Sequence, residues 1–279
     1  MPYAINDDCK LYYETFGSPS DPTLLLVNGL GSQCTNYKSE WCEMYVAAGF
    51  HVVRFDNRDV GLSTHFGDAP VDEQGAAYSL DDMANDALAV LDAVGVQQAH
   101  VMGVSMGGMI VQHLAIHHRE RLLTMVSVMS RTGEPEYGKP SPEAWELLTS
   151  PGPSDREGAL QRAVQGIRLW GSPEFADEER SRNDAAAAYD RSLDPAGVIR
   201  QFRAIGAAGS WADELPGVTT PSLVIHGDKD TLIDISGGRR TAELIPGAKF
   251  VAIEGMGHDY PPQLWDRWVN EVKTFCLGV

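Results

Sequence analysis

Cysteine is scarce in this chain, with four in 279 residues. Cys9, Cys34, Cys42 and Cys276 show no C-x-x-C spacing, which suggests neither a zinc ribbon nor a disulfide scaffold and leaves free thiols in a reducing compartment as the default. Basic residues are also few. Lys+Arg number 22 against 39 Asp+Glu, a net charge of −17 that repels nucleic acid and anionic membranes and argues against either as a partner. Long apolar runs are missing too, none approaching the roughly 18 residues of a membrane span. The opening "MPYAINDDCKLYYETFG" carries acids where a secretory signal would carry basic residues, and its region around Leu11, Tyr13 and Glu14 reads as a strand. The expectation is a soluble, cytoplasmic protein with a small-molecule ligand and no nucleic-acid or membrane partner; the sequence leaves its oligomeric state open.

What is present begins with size, since a chain of this length buries about 75% of its unfolded surface and can build a large core without metals or disulfides. Short apolar runs recur at 23–29, 51–56, 99–105, 123–130, 222–227 and 249–255. Each is nearly all apolar rather than alternating, the pattern of strands covered on both faces in a parallel sheet. Between them, "SLDDMANDALAVLDAVGV" at 79–96 opens on a Ser/Asp capping signal, sets Met83, Ala87, Leu88 and Leu91 at helical spacing and stops at Gly95. Alternating strands and helices predict an α/β doubly wound sheet.

The alternation breaks between Arg131 and Leu215. This stretch holds six prolines up to Pro173, then alanine-rich helical sequence around 184–190, with no convincing strand. Trp145, Trp170, Phe175, Tyr189, Phe202 and Trp211 fall in it; they line an apolar lid over one end of the sheet, or they form the insertion's own small core.

"GVSMGG" at 103–108 fits G-x-S-x-G between a strand and a helix, where a sharp turn forces the serine into strained dihedrals and requires small flanking residues. The gain is an exposed Ser105 hydroxyl at a helix N-terminus, whose free N–H groups favour developing negative charge. The alternative is a flexible Gly-rich turn. The P-loop and dinucleotide readings fail for want of the Lys-Ser/Thr pair and the G-x-G-x-x-G spacing. A serine nucleophile needs a base and a group to orient that base. "SLVIHG" is followed by "DKD" and "KFVAIEG" by "MGHDYPP", which puts Asp230 and His258 on loops at the carboxyl edge of the sheet, where open α/β sheets bind ligands.

With "LLLVNGLGS", "VVRFDNRDVGLS", "GVSMGG", "PSLVIHGDKD" and "IEGMGHDYP" in register along nearly the whole core, the chain resembles the α/β-hydrolase fold serine hydrolases. Within them it is similar to the aclacinomycin methylesterase branch and to small esterases, lactonases and cofactor-free haloperoxidase-like enzymes. The resemblance implies a mostly parallel central sheet flanked by helices, with core segments 1–130 and 216–279 and a helical cap at 131–215. It implies Ser105 as nucleophile, His258 as general base and then acid, and Asp230 as the orienting acid. The family's Gly-x-x-Asp pattern, counted from Gly227, selects Asp230 over Asp228, which reads as a turn residue bonding its own backbone. Many relatives have proline four residues after that acid, where Asp234 stands here.

By the same match, the oxyanion hole takes one backbone N–H from Met106 and one from Leu30 in "NGLG", where relatives commonly read His-Gly and this chain has Asn28-Gly29. An ester substrate with apolar or aromatic character is implied, with no metal or organic cofactor called for. Lactone opening, C–C bond cleavage and peracid formation use the same triad, and this fold also hosts ligand sensors. Epoxide hydrolases and haloalkane dehalogenases of the fold require Asp where Ser105 stands. His113 and His117 lie at i, i+4 but lack the H-E-x-x-H glutamate, and read as a surface pair away from Ser105. "DNRD" at 56–59 reads as a structural loop with an internal Arg58 ion pair, and His226 as a locally hydrogen-bonded strand end.

Overall fold

A computed structural model describes residues 2–67, 69–153 and 155–278. Eight strands form one sheet: β1 (Tyr3–Asn6), β2 (Cys9–Phe16), β3 (Thr23–Val27), β4 (His51–Phe55), β5 (Ala99–Val104), β6 (Leu122–Val128), β7 (Ser222–Gly227) and β8 (Lys249–Ile253). Their order is β1-β2-β4-β3-β5-β6-β7-β8. The β1–β2 and β2–β4 pairs are antiparallel and the rest parallel. Every apolar run identified in the sequence contributes a strand, and β1 adds a hairpin edge before the expected N-terminal strand.

The continuous apolar character of β3 to β7 follows from helices on both faces. Side chains alternate across the sheet: Leu25, Val27, Val53 and Val101 pack with Met83, Leu91, Ile110 and Leu114. Leu24, Leu26, Val52 and Met102 face the other way, toward Trp41, Tyr45, Trp268 and Val272. The first face is covered by α2 (Leu80–Ala93) and α3 (Met106–His117), the second by α1 (Ser39–Ala47) and the last helix, α9 (Trp265–Cys276). The edge strand β8 is the exception, with only Ile253 fully buried, because no strand lies beyond it.

Helix α2 starts where the capping signal predicts. The Ser79 side chain accepts from the Asp82 N–H and the Asp82 carboxylate accepts from the Ser79 N–H, a reciprocal capping box. It ends just before Gly95, which takes φ +75°. Between β6 and β7 the chain forms α4 (Pro142–Thr149), α5 (Arg156–Trp170), α6 (Glu178–Arg191) and α7 (Pro195–Ala208), with no strand among the described residues of this stretch. A short helix α8 (Ser236–Leu244) follows β7 and packs on β7 and β8.

The inserted helices are tied to the core through the "DNRD" loop. Arg191 of α6 lies 2.8 Å from Asp56, and Arg200 of α7 meets Asp59 through two nitrogens at 2.7 and 2.9 Å. Both carboxylates are fully buried, so removing either arginine would strand a buried charge. The expected internal ion pair is present: Arg58 donates to both Asp86 oxygens at 2.6 and 2.7 Å. The loop thus has a second role, anchoring the insertion, which its own residues do not announce.

Candidate active site

Residue 105 sits in the turn between β5 and α3 with φ 55° and ψ −119°, a left-handed conformation that L-residues adopt only under constraint. The flanking glycines are required by contact. A Cβ on Gly103 would lie 2.0 Å from the Gly107 carbonyl oxygen, and one on Gly107 would lie 2.1 Å from the Val27 carbonyl oxygen. The motif is therefore a tight crossing of strand, helix and neighbouring strand, and the flexible-turn alternative is excluded. Ser130 holds the corner from β6 by donating its hydroxyl to the Ser105 carbonyl at 2.8 Å.

The three separated segments converge. His258 Nε2 lies 3.0 Å from Ser105 Oγ, and its Nδ1 lies 2.7 Å from Asp230 Oδ2. The other oxygen of Asp230 accepts two backbone N–H bonds, from Leu232 and Ile233, each at 2.9 Å. Burial pushes the Asp230 pKa up, but His258, the adjacent His226 at 3.3 Å and their hydrogen bonds outweigh it and bring the value down to about 2. At neutral pH Asp230 is an acceptor only, so the tautomer that fits is His258 with its proton on Nδ1 and a free Nε2 lone pair toward the serine.

Asp228 is placed outside this constellation. Its carboxylate accepts from the Gly255 N–H at 2.7 Å, joining the loops after β7 and β8, which corrects the expectation of a bond to its own turn. Asp234, at the position where relatives carry proline, accepts from the Ser236 and Lys139 amides at 2.8 Å each and so holds the loop by hydrogen bonds instead of a ring. His226 is local as expected, bonding the Ile233 carbonyl at 2.8 Å.

The Leu30 and Met106 amides, both on the cavity wall beside Ser105, have no acceptor among the described residues. Gly29 lets the first loop reach the serine: a Cβ there would sit 3.1 Å from the Ser105 Cβ. Asn28 braces that loop, donating to the Gln33 carbonyl at 3.1 Å while its own carbonyl accepts from Asn57 at 3.0 Å. A partner not visible in the sequence is Gln201 of α7, which accepts from the Gly31 N–H at 2.8 Å and donates to the Arg58 carbonyl at 2.7 Å.

A second unanticipated set surrounds His258. Its N–H bonds the Trp170 carbonyl at 2.5 Å, and the Asp259 carboxylate accepts from the Ser172 N–H and hydroxyl. The Gly257 N–H completes it by donating to Ser172 Oγ at 2.9 Å. The end of α5 is thereby latched to the histidine loop. Burial raises the Asp259 pKa, with the Ser172 bonds pulling the other way. The adjacent "HD" was the available signal; Ser172 offered none.

Above the serine lies a cavity of about 520 Å³. Trp145, Trp170, Phe175 and Phe202 line it, so the lid reading holds for these four. Trp211 does not: it is buried on α3, donating to Gln112 at 2.8 Å. Tyr189 is absent from the wall as well.

Among the described residues, two groups of side chains bring possible metal ligands within 4.8 Å of one another. In the first, His113 is buried, contrary to the surface pair expected, with its ring against Trp211 and its Nδ1 2.7 Å from Asp81. Its Nε2 is buried without a partner among the described residues, so a metal on Nδ1 would force the proton onto a nitrogen that has no acceptor there; the geometry fits Nδ1–H donation to Asp81 better. In the second, Asp59, His65 and Asp194, the Arg200 guanidinium already bonds both carboxylates.

Comparison with known proteins agrees with this architecture. The alpha/beta hydrolase fold family matches residues 22–260. The chain is 36% identical to rhodomycin D methylesterase DnrP of Streptomyces peucetius, across 92% of this chain and 91% of that one. It is 26% identical to 3-oxoadipate enol-lactonase 2 of Acinetobacter baylyi across 95% and 93% of the two chains. The crystal structure of the enol-lactonase from Burkholderia xenovorans superposes with a TM-score of 0.76 at 27% identity, covering 99% of this chain and all of the other.

Proposed function

The chain belongs to the alpha/beta hydrolase fold family, and from that premise we propose that it is a serine carboxylic ester hydrolase whose nucleophile is Ser105. The observation that carries the reading is the continuous relay of Asp230 to His258 at 2.7 Å and His258 to Ser105 at 3.0 Å, opening on a cavity with two unengaged amides. His258 takes the hydroxyl proton as Ser105 Oγ attacks the ester carbonyl. The Leu30 and Met106 amides receive the oxyanion, at the helix terminus where negative charge is favoured. His258 then protonates the departing alcohol, and water activated by the same ring releases the acid from the acyl-enzyme. Residues 131–215 act as a helical cap that supplies the aromatic wall and limits water.

The similarity to a methylesterase over nearly the full chain favours a small alcohol leaving group on a large or aromatic acid, for which the cavity has room. Lactone opening is the second reading, favoured by the enol-lactonase likeness in sequence and structure. Hydrolysis of chromogenic esters graded from acetyl to long acyl chains, with wild type beside Ser105→Ala, tests the assignment. Turnover that vanishes in the variant is expected. Turnover unchanged in Ser105→Ala, or none in the wild type on esters or lactones, overturns it, the latter in favour of C–C cleavage or ligand sensing.

A further inference from the structure

Three cationic side chains line the cavity: Lys38, Arg131 and Arg180. Lys38 is 2.7 Å from Asp184, and Arg180 is 3.7 Å from the same carboxylate and lies over the Trp265 ring. Arg131 has neither an ion pair nor a side-chain hydrogen bond among the described residues. Acids on the loops around the site are engaged elsewhere. Glu134 takes Arg240 at 3.0 Å and the Thr132 hydroxyl, Asp234 takes two amides, Asp259 takes Ser172, and Asp230 takes His258.

The side chain is nonetheless well seated. Arg131 lies three residues beyond the end of β6, next to Ser130, whose hydroxyl bonds the Ser105 carbonyl. A Cβ on either Gly138 or Gly237 would come within 3.0 Å of the Arg131 Cβ, so its stem is packed between these two glycines. Burial lowers its pKa, with no nearby carboxylate to restore it. Arg162 is lowered by burial as well, but it donates to the Leu147 carbonyl at 2.6 Å and the Ser150 hydroxyl at 2.8 Å. A guanidinium stays charged at neutral pH, and leaving one partly desolvated without a counter-charge is unfavourable. A fold carries such a group where a ligand supplies the missing acceptor, and a carboxylate matches its fork with two parallel hydrogen bonds.

We propose that Arg131 is an anion subsite of the cavity, so that the preferred substrate carries a carboxylate in addition to the ester or lactone bond that Ser105 attacks. The class is the half-ester of a dicarboxylic acid, or the lactone of a hydroxy diacid, with the free carboxylate on Arg131 and the scissile carbonyl at the Leu30 and Met106 amides. The inference rests on the hydrolase reading for the bond broken, and on Arg131 alone for the charge.

The test compares monomethyl esters of C4 to C8 diacids with their neutral amide isosteres, in which the free acid is replaced by a carboxamide. In wild type, kcat/KM should favour the acid by about tenfold or more at the best length, the size expected for a charge-assisted hydrogen bond. Arg131→Met should bring the acid-to-amide ratio to about one, and Arg131→Lys should keep part of it. A wild-type ratio at or below one, or a ratio unchanged in Arg131→Met, overturns the proposal. Calorimetry on Ser105→Ala with the same intact pairs reads the subsite without turnover: tighter acid binding that is lost on adding Arg131→Met supports it, and equal affinities overturn it. If wild type hydrolyses neither these esters nor the graded esters and lactones above, the hydrolase reading falls while the binding result still decides the role of Arg131.

Discussion

At the scale of single residues, the site depends on Ser105 being held in a conformation that glycine would adopt more easily. Its neighbours decide whether that is possible. Gly107→Ala places a Cβ 2.1 Å from the Val27 carbonyl and is expected to destabilise the fold by about 1–3 kcal/mol, read as a lowered Tm, with activity lost in the fraction that folds. Asp230 makes a prediction about acid. Its folded pKa of about 2 lies below the ordinary carboxylate value, so the stability it contributes is present above pH ~4 and is lost as pH falls toward 2. Wild type should therefore lose more stability than Asp230→Asn over that interval, measured by urea unfolding at each pH; parallel curves would contradict the assignment. The residues of this relay were legible in sequence because each sits in the segment that follows an apolar strand. His113 was not, since its burial depends on Trp211, which is 98 positions away and came from the inserted segment.

At the scale of elements, two loops of the core are steadied by helices of the insertion. Helix α7 holds the loop bearing Leu30 through Gln201, and the end of α5 holds the loop bearing His258 through Ser172 and Asp259. Gln201→Leu is expected to lower kcat by about tenfold, because an oxyanion donor displaced by a fraction of an ångström loses much of its effect, with a smaller change in KM. Ser172→Ala should likewise lower kcat by about tenfold, and Ser172→Thr should restore part of it. Equal wild-type kcat in both alanine and leucine variants would reduce these contacts to packing. The strands were readable because burial on both faces leaves a continuous apolar signature, and α2 because its cap and Gly95 bracket it. The helices of the insertion were less distinct: α6 has no fully buried residue, so no apolar stripe marks it in the sequence. The contacts linking α5 and α7 to the core join residues 85 to 170 positions apart, which no local pattern encodes.

At the scale of the whole molecule, the net charge of −17 sets the field through which a substrate arrives. An anionic half-ester meets overall repulsion before it reaches Arg131, whereas a neutral ester does not. Raising ionic strength from about 20 to 200 mM shortens the Debye length and should increase kcat/KM for the half-ester by a few-fold, leaving the neutral isostere nearly flat. The four helices between β6 and β7 are anchored to the sheet, since Arg191 and Arg200 are paired with fully buried Asp56 and Asp59. Sequence reading assigned that loop to the core alone, because the arginines it receives lie more than 130 residues further along the chain.

Everything proposed for the site depends on Ser105 being the group that forms the acyl-enzyme. Intact-mass analysis after incubation with a fluorophosphonate, followed by peptide mapping, tests it most directly. A single adduct on Ser105 in the wild type, absent in Ser105→Ala and much slower to form in His258→Ala, is the predicted result. An unmodified wild type, or an adduct that persists at another residue in Ser105→Ala, would contradict the account.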